Sequence, residues 1–131
     1  MFMVRPISTA YPLVNKDYQL LARFSIPELE NLVTYYVDSI RQIETAHLEK
    51  YKELSEIDRM LSEIESLPYA AMDAEKQLQV GHSKEVLLQR RRECLQSLDA
   101  LAQESERLTN HYTRMRNSII AKFRQELDSL F

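Results

Sequence analysis

One alternation constrains this chain more than anything else in it. From Leu29 the apolar positions advance by steps of four and three: Leu29, Val33, Tyr36, Ile40, Ile43, His47, Lys50, Leu54, Ile57, Leu61 and Ile64. Nine of these eleven are apolar. A period of about 3.5 residues held this long is the mark of a left-handed coiled-coil seam, not of a merely amphipathic surface helix.

The seam has a readable start and stop. Ser25-Ile26-Pro27-Glu28 has the form of a capping box, with Ser25 accepting from the Glu28 N–H and Glu28 reaching back. Pro27 falls in the first turn, where its missing donor is not needed. Phe24 and Leu29 stand at the two staple positions. The pattern predicts a helix from residue 26 that ends before Pro68, because the residue preceding a proline is pushed out of the helical region.

A second seam follows over 84–131: Leu87, Arg91, Cys94, Leu98, Leu101, Ser105, Leu108, Tyr112, Met115 and Ile119, then longer steps to Phe123, Leu127 and Leu130. That late lengthening is a stutter, which unwinds a supercoil locally. Set antiparallel with a constant index sum near 151, the seams pair Ile64 with Leu87, Ile57 with Cys94, Leu54 with Leu98 and Ile43 with Leu108. The same sum pairs Ile40 with Tyr112, Tyr36 with Met115 and Val33 with Ile119. The polar exceptions also align: His47 falls opposite Glu104 or Ser105, and Lys50 is one turn from Glu104. Such a layer is expected to fix register and oligomeric state at some cost in stability.

Between the seams, 69–80 reads as a short connecting helix stopped at Gly81, with Ser83 capping the next helix. The rival is one continuous helix with the glycine inside. Before the seams, Pro6 and Pro12 predict an extended start, and Asn15 a cap for a short helix over 16–23. The many apolar residues of this arm suit packing across the hairpin or onto a partner. The reading is one helical domain of 131 residues: arm 1–24, long helix 25–67, connector 68–83, long helix 84–131. The fold class is all-α, an antiparallel coiled-coil hairpin that completes a bundle by self-association or with a partner.

Composition narrows the function. Gly81 is the sole glycine; turn-rich β and α/β folds need many, and a phosphate-cradling loop needs several. The net charge of −3 argues against a general polyanion binder. It divides as +2 over 1–25, −6 over 26–67 and +1 over 68–131. Cys94 is the sole cysteine, so no intrachain disulfide forms and a reducing, cytoplasmic setting is expected. MFMVRP lacks the apolar core of a signal peptide, and no run is long and apolar enough to span a membrane.

Candidate chemistry is sparse. Glu44-Thr-Ala-His47 is one E-x-x-H, where di-iron bundles use two plus further inward glutamates. His82, His111 and Cys94 have no ligand-spaced partner. No metal, cofactor or catalytic group is therefore assigned, and the chain is not expected to be an enzyme. Two surface features remain. A second stripe of Leu32, Tyr35, Leu48, Tyr51 and Met60 flanks the first seam and needs a cover. Arg90-Arg91-Arg92 is a short basic run interrupted by Glu85, Glu93 and Asp99.

These features predict a non-enzymatic interaction module: a small adaptor or chaperone-like protein offering apolar stripes to a partner helix, or to a second copy of itself. The alternative is a permanent coiled-coil subunit of a larger assembly, such as a secretion-type machine. A third reading, nucleic-acid binding, rests on Arg90–Arg92 alone.

Overall fold

A computed structural model describes residues 11–130. Its described residues form three α-helices, α1 (Tyr11–Arg23), α2 (Pro27–Glu65) and α3 (Ala74–Ser129), with a 3-10 turn at Tyr69–Ala71 and no strand. The two long helices pack against each other as a hairpin, as the paired seams predict. Two compact units emerge. The first comprises the described residues of Met1–Thr45 and Ala102–Phe131, the second Ala46–Leu101.

The first unit holds α1. The helix opens around Pro12, where the missing N–H costs nothing. The expected extended start through Pro12 is corrected accordingly; Pro6 and its neighbours lie outside the described residues. The inner face of α1 carries Val14 and Asp17, both buried, with Leu13, Leu20 and Leu21 half-buried. After the break at 24–26, Glu30 N–H bonds Ile26 C=O at 3.0 Å. The carbonyl that opens α2 is thus Ile26's, one residue later than the capping box requires. Glu28 points its carboxylate toward Lys122 Nζ at 3.9 Å instead, and Phe24 meets Phe123 edge-on at 5.2 Å.

Leu29, Val33, Tyr36, Ile40 and Ile43 of α2 are buried, as are Leu108, Tyr112 and Ile120 of α3. The pairing is displaced from the constant-sum register. Tyr36 stacks on Tyr112, with ring centroids 4.3 Å apart and planes 13° from parallel, while Met115, its expected partner, is 43% exposed. The cause is the third helix. The side of α3 that α1 engages runs through Tyr112, Arg116, Ile120 and Phe123, at steps of four, four and three. Serving both α1 and α2, α3 no longer keeps a single 3.5-residue seam.

In the second unit the seam holds. Ile57, Leu87 and Cys94 form a buried cluster, with Leu54, Met60, Leu61 and Ile64 packed against it. The expected connecting helix over 69–80, with a stop at Gly81, is absent. After the turn at Tyr69–Ala71, Asp73 caps α3: its Oδ1 accepts from Lys76 N–H at 2.8 Å. Gln77 Nε2 donates back to Tyr69 C=O at 3.0 Å. Aspartate is a favoured N-cap, and its signal outweighs a glycine eight residues after it. Gly81 lies inside α3 without positive φ, and a Cβ there would meet nothing within 4 Å.

Candidate functional site

The most developed polar constellation sits in the first unit, under α1. Asp17 is completely buried. Its Oδ2 accepts a hydrogen bond from the Tyr112 hydroxyl, and Arg116 Nε donates to both its oxygens at 2.7 and 2.9 Å. Arg116 Nη1 also donates to Asn117 Oδ1 at 3.1 Å. Around this pair the Tyr36 hydroxyl and Thr109 Oγ1 lie 2.7 Å apart, and Thr109 Oγ1 bonds Ser105 C=O. Burial, followed by the bonded Asp17 carboxylate and its charge, holds the Tyr112 phenol far above its ordinary pKa; burial also raises Tyr36. Both phenols stay protonated at neutral pH, so they act as donors and rings, not as bases.

Such a network positions a helix. A buried carboxylate left unpaired is costly, whereas one that receives an arginine and a phenol is satisfied. Asp17 and Arg116 were not among the residues singled out from sequence. The signal is in the spacing: Val14, Asp17 and Leu20 or Leu21 share one face of α1, and a lone charge on an apolar face demands a buried partner.

The remaining candidates are placed as follows. Within the proposed polar layer, Lys50 Nζ pairs with Glu53 at 3.1 Å and Glu104 with Arg107 at 2.5 Å; Ser105 contributes its carbonyl to Thr109. These three are engaged within their own helices. His47 is half-buried, with Nε2 enclosed and without a hydrogen-bond partner among the described residues. Its ring lies 5.5 Å from that of Tyr51, and burial lowers its pKa.

Of the flanking stripe, Tyr35 in the first unit is 57% exposed and Leu32 beside it half-buried. In the second unit Leu48 is 56% and Tyr51 42% exposed. Met60 is instead part of the Ile57 cluster. Arg90 is exposed, Arg91 Nε bonds Asp58 at 2.8 Å, and Arg92 bonds Gln89. The basic run is therefore partly tied into local pairs. Cys94 is buried, and its thiol donates to Lys50 C=O at 3.1 Å. Burial and then Glu53 raise its pKa, which keeps it in the unreactive thiol form.

Among the described residues no group of three or more His, Cys, Asp or Glu side chains is placed to hold a metal ion. No described helix is long and apolar enough to cross a membrane. In comparisons with known proteins, no family model, no curated protein and no solved structure matches the chain.

Proposed function

We propose that this chain is a non-enzymatic protein–protein interaction module, an adaptor or chaperone-like protein that presents apolar helix faces to a helical segment of another protein. The observation that carries this reading is the exposure of Tyr35, Leu48 and Tyr51, all large and all on α2. Tyrosine and leucine left in water gain free energy when a partner covers them, and tyrosine suits surfaces that are alternately wet and covered. A cytoplasmic location belongs to the same proposal, supported by the single buried thiol of Cys94.

The test is the mass of the full chain by light scattering at rising concentration, alone and with amphipathic helical peptides, beside a Tyr35→Ser/Leu48→Ser/Tyr51→Ser variant. Association by the parent and its loss in the variant, with unchanged helicity, is the expected result. A chain that stays monomeric and binds no helical peptide overturns the reading. Aggregation that no peptide relieves favours the permanent-subunit alternative.

A further inference from the structure

The first unit also contains an open cleft of about 260 Å³ between α1 and α3. Its lining is largely apolar: Leu20 from α1, Phe24 just after it, and Ile120, Phe123 and Leu127 from α3. Two of these residues, Phe24 and Phe123, meet edge-on. Charge around the cleft is one-sided. Lys16, Arg116 and Arg124 line it, and Asp17 is the sole lining carboxylate. Asp17 is already spent, buried against Arg116 and Tyr112. Lys16 and Arg124 are exposed and have no ion-pair partner among the described residues. They leave two uncompensated positive charges beside an apolar floor.

We propose that this cleft receives an acidic amphipathic helix of a partner protein, whose bulky apolar side chains enter between α1 and α3 while its carboxylates meet Lys16 and Arg124. The inference rests on the interaction-module reading and goes beyond it, since none of Tyr35, Leu48 and Tyr51 of α2 lines this cleft. The volume suits a few leucine-sized side chains, not a whole helix, which is how an amphipathic helix docks in a groove. The lining residues recur at helical spacing, 16, 20 and 24 on one wall and 116, 120, 123 and 127 on the other, which matches anchors three and four residues apart. Attraction by Lys16 and Arg124 favours carboxylates over ammonium groups at the rim and weakens with salt.

Fluorescence anisotropy with the full chain tests this. The probes are a labelled helical peptide with leucines at i, i+3, i+4 and i+7 flanked by glutamates, and its twin with lysines for the glutamates. The acidic peptide is expected to bind at least about tenfold more tightly than its twin, and less tightly at high salt. In a Lys16→Glu/Arg124→Glu variant of unchanged helicity the preference reverses; in Lys16→Gln/Arg124→Gln it is lost. Tight binding unaffected by either variant overturns the cleft and leaves the module reading standing. Binding of neither peptide overturns the cleft, and overturns the module reading as well when the chain also stays monomeric. Displacement of the acidic peptide by dodecanoate at equal concentration overturns the helix as occupant in favour of an anionic lipid. A dimer of the parent chain that the reversed charges dissolve assigns the cleft to a second copy instead.

Discussion

The two units are built from the same two long helices by different means. The second is an aliphatic hairpin: Ile57, Leu87 and Cys94 lie in one seam, and its end is closed by the Asp73 cap. The first adds α1 and changes character. Its centre is a stacked tyrosine pair and a buried carboxylate held by arginine and phenol. A two-helix seam needs only apolar residues at the right period. Adding a third helix at a fixed place needs direction, which hydrogen-bonded charge supplies and dispersion does not.

The contrast is sharpest at Asp17. Replacing it with alanine leaves Arg116 and the Tyr112 hydroxyl without their buried acceptor and is expected to cost about 3–5 kcal/mol. Hydrogen exchange should report the loss first in α1 and the C-terminal part of α3. Equal loss throughout both units would erase the distinction drawn between them. Ile57→Ala makes the opposite cut: a cavity worth about 2–4 kcal/mol in the aliphatic seam, read as faster exchange over 46–101, with Tyr36 and Tyr112 keeping their near-ultraviolet dichroism.

Smaller effects refine the picture. His47→Leu removes an enclosed, unpartnered Nε2 and is expected to raise stability by about 1 kcal/mol at neutral pH. Because burial lowers the folded-state pKa of His47, the unfolded chain takes up the proton more readily. The histidine's share of stability is thus fully present above about pH 6.5 and is lost on acidification toward the folded-state value. Urea midpoints at pH 7.5 and 5.5 should separate further in the parent than in the leucine variant; equal slopes would remove His47 as the cause. Gly81→Ala should stabilise by about 0.5–1 kcal/mol, since the added Cβ meets open space; a loss in thermal melting would restore the break at Gly81. Ser25→Ala should change stability by less than about 0.5 kcal/mol, because the opening carbonyl of α2 is Ile26's; a larger loss would reinstate the capping box.

Legibility in the sequence follows the same division. The hairpin, its turn after residue 65 and the Ile57–Cys94 layer were readable because periodicity alone determines them. The start of α1 is not legible from Pro12, because a proline that breaks a helix interior is equally at home in a first turn. The connecting helix expected over 69–80 gives way to α3 because a helix of 56 residues tolerates Gly81 more easily than it forgoes the Asp73 cap. The Tyr36–Tyr112 stack escaped because two partners share α3 there, and a constant index sum assumes one. Asp17 and Arg116 escaped because they are 99 residues apart in sequence; only the oddness of a charge on an apolar face pointed to them.

The central claim is that α1 is fixed on α3 by the Asp17–Arg116 pair. A double-mutant cycle with Asp17→Leu, Arg116→Leu and the two combined tests it most directly, by urea unfolding at neutral pH. Each single change is expected to be strongly destabilising. The double variant should recover about 1–3 kcal/mol of the summed loss, because neither partner is then left buried and unpaired. Additive losses would contradict the claim and leave α1 held by apolar packing alone.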